Sequence, residues 1–185
     1  MLAFRIGAPV TLHMFSDESK ARGYITAAVV VPAGSVARVR STCSTWAMPG
    51  SRRFHAQKES TARRRVALAS LVAAAGTVRV VIIESDRGQH DLSARGAHVL
   101  ALADWAGKAG VSRWVIERDE SVLGADRHLL SVARAADGAD RFEYVHLRAA
   151  QDPVLWAADL VAWAWARGGE FQAGIEPLEV AHIRV

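Results

Sequence analysis

Residues 153–166 constrain the fold of this chain more than any other stretch. They read Pro-Val-Leu-Trp-Ala-Ala-Asp-Leu-Val-Ala-Trp-Ala-Trp-Ala, apolar on every side of a helix except at Asp159. Asp152 stands as an N-cap residue, with Pro153 at the first helical position. A helix that is apolar all round is buried, so the rest of the chain must wrap around this one. A buried carboxylate is costly unless it is paired or holds a metal. Asp159 cannot be a cap, because Asp152 already fills that role, so something must compensate it. Two answers stay open at this stage: an arginine, or a cation shared with a second acid.

The remaining elements follow from periodicity and punctuation. Residues 10–19 and 24–31 are apolar, β-branched runs separated by a polar turn, which predicts a β-hairpin. Helices are expected over 35–46, 60–75, 92–109 and 127–136, with glycine stops at Gly76, Gly110 and Gly138. Single strands are expected over 78–84, 111–116 and 142–147, with a last one within 178–185. Residues 49–57 form a basic loop, and a polar turn runs through Asp86 and Gly88. A hairpin followed by alternating helices and strands predicts an α/β architecture, a mixed sheet covered by helices. At 185 residues the chain is expected to be one domain, 1–185.

Several functions are excluded. Cys43 is the only cysteine, so there is no internal disulfide and no cysteine zinc cluster. The sequence has no glycine-rich phosphate loop, dinucleotide fingerprint, zinc-protease histidine pair or nucleophile elbow. The apolar run 153–166 is shorter than the ~20 residues that span a bilayer. The N-terminal residues show no secretory pattern, and the expectation is a soluble, cytoplasmic protein with no membrane partner. The net charge of +4 is carried mainly by arginine, Lys20, Lys58 and Lys108 being the only lysines. Arginine suits phosphate recognition, and an arginine-rich composition also fits a GC-rich genome.

The acids at strand ends are the candidate chemistry. Phe15-Ser16-Asp17-Glu18-Ser19 closes the first strand, and Glu117-Arg118-Asp119-Glu120-Ser121 follows a later one. Alternation along a strand puts Glu117 and Asp119 on one face. Carboxylates held at a sheet edge suit Mg²⁺, which takes oxygen ligands; such acids also serve as plain turn residues. Glu59 opens a helix, where the helix dipole favours an acid. His55 and Lys58 are placed to contact phosphate or simply to be solvated. Arg63 and Arg64, with Arg65, form either a wet helix face or a track along a nucleic-acid backbone. Trp156 and Trp163 fall on one side of the last helix, flanking Asp159, where they pack in the core or stack on bases.

These pieces together resemble the DUF3800 family, as an actinobacterial-type member. The matching residues are Phe15-Ser16-Asp17-Glu18-Ser19, the strand over 24–31, His55-Ala56-Gln57-Lys58-Glu59, Glu117-Arg118-Asp119 and Ala158-Asp159-Leu160-Val161-Ala162. The resemblance spans about residues 10–170. Lys20 stands where many members carry glycine, and Ala157 where a glutamine often precedes the Ala-Asp pair. The resemblance implies a ribonuclease H-like mixed β-sheet with helices on both faces. It implies a four-carboxylate site in which Asp17 bridges Mg²⁺ or Mn²⁺, Glu59 is the helix acid, Glu117 or Asp119 the middle-strand acid and Asp159 the late one. The expected activity is metal-dependent hydrolysis of phosphodiester bonds in RNA or DNA, with Lys58, His55, Arg63 and Arg64 on the nucleic acid. The alternative is a catalytically inactive scaffold of the same fold that binds nucleic acid or a partner protein.

Overall fold

The structure, a computed structural model, describes residues 10–21, 23–86, 91–135 and 142–185. The turn at Gly88 and the helix stop at Gly138 lie outside the described residues. The hairpin forms as expected from β1 (Leu12–Ser19) and β2 (Ile25–Pro32), paired antiparallel from Leu12 opposite Pro32 to Ser19 opposite Ile25. After α1 (Val36–Ser44) and α2 (Thr61–Val72), β3 (Arg79–Glu84) adds antiparallel to β2. α3 (Asp91–Ala109) leads to β4 (Val111–Glu117), which lies parallel to β1 on the hairpin's other side. α4 (Leu123–Ala135) and β5 (Glu143–Leu147) extend the sheet beyond β4, again in parallel. α5 (Val154–Arg167), the short α6 (Gly169–Ala173) and β6 (Val180–Arg184), parallel to β3, complete the order β5-β4-β1-β2-β3-β6.

Alternation along the strands divides the core in two. Phe15, Ile25, Ala27, Val29, Val80 and Val115 face α1, α2, α5 and α6. Met14, Ala28, Val30, Val81, Trp114 and Ile116 face α3 and α4. The fold is therefore α/β, a mixed sheet with helices on both faces. α5 is the most deeply buried helix; Leu155, Leu160, Val161 and Ala162 are fully enclosed. Each such leucine or valine stabilises the fold by about 1.5–3 kcal/mol. Asp152 carries the start of this helix: its Oδ1 accepts from the Val154 N–H at 3.1 Å, and Arg40 grips both its oxygens.

Two expectations are corrected in detail. α4 begins at Leu123 rather than at residue 127, because Asp119 and Ser121 form a turn that launches it earlier. The sequence reading does not include α6; Gly168 and Gly169, with φ of 73° and 58°, break α5 before this short helix starts. Among the described residues no helix is long and apolar enough to cross a membrane.

Candidate functional site

Strand alternation and register together build the site. Phe15 and Val115 both face α5, and the parallel register pairs Phe15 with Val115 and Ser16 with Ile116. One step further along each strand, Asp17 and Glu117 emerge side by side on that face, at the C-terminal ends of β1 and β4. Ligand sites of open α/β sheets gather at such strand ends. α5 packs across the same strands, and Asp159 comes from its cleft-facing side. A cleft of about 890 Å³ opens here, with Asp17, Glu117 and Asp159 on its walls.

The acids are in electrostatic conflict. Burial, then the charge and hydrogen bond of adjacent Glu117, then the charges of Asp159 and Glu18, hold the Asp17 carboxyl well above its usual range. Each of these influences disfavours the ionised form, and none comes from a basic group. No arginine takes up Asp159 among the described residues; a histidine and a backbone amide do. Its Oδ2 accepts from the Ala56 N–H at 2.8 Å and lies 3.1 Å from His55 Nδ1. Its carboxylate is 18 % exposed, toward the cleft. Arg53 reaches Glu117 only at 3.4 Å, from an exposed position on the rim.

The other expected residues are placed differently. Asp119 lines the cleft, but its Oδ1 accepts from both the N–H and the hydroxyl of Ser121. Those bonds pull its carboxyl below the usual range, and it is not among the main influences on Asp17. Glu59 is not on the cleft; it pairs with Arg63 one turn along the chain. Arg63 also donates to the Trp46 carbonyl, and Arg64 donates to the Ala56 and Gln57 carbonyls while lying 4.3 Å over the Trp163 ring. Both arginines are committed inside the molecule rather than offered to a partner. Lys58 is exposed and stands off the cleft, whereas His55 lines it. Among the described residues, the lysines and arginines on the cleft itself are Lys20, Arg53 and Arg118. The sequence singled out none of the three as a contact for the nucleic acid; Arg53 lay in the basic loop and Arg118 between two of the candidate acids.

A second cluster lies behind β1. Glu18 points to the opposite face from Asp17 and meets the buried Arg95 of α3. Arg95 also makes a two-pronged contact with Asp126 of α4, at 2.9 and 2.7 Å, and Asp126 in turn lies 3.3 Å from His146 of β5. Burial pushes the Asp126 carboxyl up, but Arg95 and His146 more than offset it. The network fixes the end of β1 that carries Asp17. It joins residues distant in the chain, and no spacing in the sequence marks it.

The sheet order and the two helical layers are consistent with a ribonuclease H-like fold. A solved structure is similar to it: the PCNA:RNase HII complex from Archaeoglobus fulgidus contains a chain that matches at a TM-score of 0.52 and 12% identity. The match covers 82% of this chain and 69% of that one. No protein-family model and no curated protein matches the sequence.

Among the described residues no three His, Cys, Asp or Glu side chains gather closely enough to hold a metal ion. Asp159 stands back on His55 and Ala56, which leaves Asp17 and Glu117 as a close pair. The donor set nevertheless fits a hard cation. Mg²⁺ is commonly held by one or two carboxylates, with water and substrate oxygens filling its remaining positions.

Proposed function

We propose that this protein is a metal-dependent nuclease that hydrolyses phosphodiester bonds in RNA or DNA, and that it is a member of the DUF3800 family. The observation that carries this reading is the contact between Asp17 and Glu117, with Asp159 across the cleft and no basic group among the main influences on Asp17. Two carboxylates forced together at a strand end are an unfavourable arrangement in a resting protein. A divalent cation turns the same arrangement into a favourable one.

Asp17 and Glu117 would hold Mg²⁺ or Mn²⁺, with Asp159 as the third acid. Bound there, the ion supplies activated water and stabilises the leaving oxygen. Lys20, Arg53 and Arg118 ring the cleft and hold the phosphate backbone in line with the acids. His55 orients Asp159 through Nδ1. Glu59, Arg63 and Arg64 support the wall from behind, and Asp119 shapes the rim.

The test is cleavage of single- and double-stranded RNA and DNA with Mn²⁺. Asp17→Asn is expected to abolish cleavage while the protein still melts cooperatively; retained cleavage overturns the reading. The Asp159–His55 contact favours a second reading, an inactive scaffold that binds nucleic acid or a partner protein. Thermal shift separates the two, because a ligand that binds only the folded state raises the melting temperature. A Mn²⁺-dependent rise that disappears in Asp159→Asn supports the nuclease; no rise supports the scaffold.

A further inference from the structure

Hydrolysis at a metal requires only that the acids reach a phosphate, yet the cleft is far larger than that task demands. Its volume of about 890 Å³ lies within the roughly 300–1,000 Å³ of sites that enclose a whole small ligand. One of its walls is also of a different character. Leu155, Trp156, Asp159 and Trp163 all line it, spaced so that they share one face of α5. Asp159 is the acid among these four, and Trp163 sits one turn further along.

The two tryptophans are not equivalent. Trp156 is fully packed, and its Nε1–H donates to the Ala149 carbonyl at 2.7 Å. Trp163 is only half-buried, and its Nε1–H has no partner among the described residues. Its ring is nonetheless held in place by the Arg64 guanidinium at 4.3 Å and by Phe171 edge-on at 4.8 Å. A fixed, part-exposed indole with an unused donor, inside a recess and beside an acid, is built to receive a planar polar ligand.

Resting on the nuclease reading, we propose that this wall is a subsite for one unpaired nucleobase adjoining the scissile phosphate, so that the substrate is single-stranded RNA or DNA. A base in a continuous duplex stays in the stack and must be extruded, at a cost of a few kcal/mol, to enter a recess. A base in a single strand enters freely and packs against the indole, a contact that tolerates any sequence.

The test measures binding separately from chemistry. Fluorescence anisotropy follows labelled single strands of about 12 nucleotides, as DNA and RNA, and the same sequences as blunt duplexes, all in EDTA. The wild-type protein is expected to bind the single strands at least tenfold more tightly than the duplexes. Trp163→Leu, which keeps apolar volume, is expected to lose about tenfold or more on single strands, whereas Trp163→Phe stays near wild type. A melting curve for each variant confirms folding. Equal or tighter duplex binding, or unchanged binding by Trp163→Leu, overturns the subsite. If Asp17-dependent cleavage of duplex persists in that case, the subsite alone has failed. If no oligonucleotide binds and none is cleaved, the nuclease reading has failed with it.

Discussion

Replacing Asp17 with asparagine is expected to stabilise the metal-free protein, whereas most substitutions destabilise. Three terms decide the sign. The hydrogen bond from the Glu18 N–H to Asp17 Oδ1 at 2.7 Å survives, because the asparagine keeps that acceptor. The contact with Glu117, a hydrogen bond only while Asp17 holds a proton, becomes an amide donating to a carboxylate at every pH. The charges of Glu117, Asp159 and Glu18 lose their shared opponent. Relief of this kind at a functional site yields about 1–2 kcal/mol, or a rise of about 2–8 °C in Tm for a chain of this size. The gain must depend on pH. An acid whose folded pKa lies above the ordinary 3.8 binds more protons folded than unfolded. Stability therefore falls as pH rises from 3.8 through the raised value and stays lower beyond it. The assay is differential scanning calorimetry in EDTA at about pH 5 and about pH 8, comparing wild type with Asp17→Asn; the variant's advantage should be larger at the higher pH. A destabilised variant, or an equal gain at both pH values, would refute the account of the acid cluster.

Arg95 gives the opposite result. Removing it in Arg95→Met strands Asp126 and Glu18 in the interior, which costs about 3–5 kcal/mol. Urea unfolding should show that loss, with partial recovery in Arg95→Met/Asp126→Leu because the second change removes one stranded charge. His98, fully buried between Thr26 and Ser85, has its imidazole pushed down to about 4 by burial and then by Arg95. The unfolded chain takes up that proton first, so this residue's contribution is lost as pH falls from 6.5 toward 4. The part of the acid-side loss that disappears in His98→Gln should be roughly 3 kcal/mol.

The hairpin, the helices and the alternation of layers were legible because each carries a local period. Asp159 was legible as an anomaly, since one acid in an otherwise apolar helix has no local excuse. Its partners were not: the Ala56 backbone N–H has no sequence signature, and His55 is 104 positions away. Glu117 and Asp119 were inseparable by alternation alone, because both fall on one face of a strand. The distinction came from Ser121, whose two bonds to Asp119 turn the chain out of the sheet. Arg63 and Arg64 read as surface charge by type, yet carbonyls, Glu59 and an indole absorb them. Such roles depend on which surfaces the fold presses together, and periodicity carries no record of that.

One loop of contacts joins the acid to the tryptophan wall. Asp159 takes the Ala56 N–H; the Ala56 carbonyl takes Arg64; Arg64 lies on Trp163; and Trp163 stands one helical turn from Asp159. The circuit closes through a single, fully buried residue. Any occupant that draws Asp159 away from Ala56 therefore shifts the seat of Arg64, and with it the indole. Thermodynamic reciprocity requires the same coupling in reverse: a ligand that settles on Trp163 alters how readily Asp159 leaves Ala56. The cleft responds as one unit with two ends.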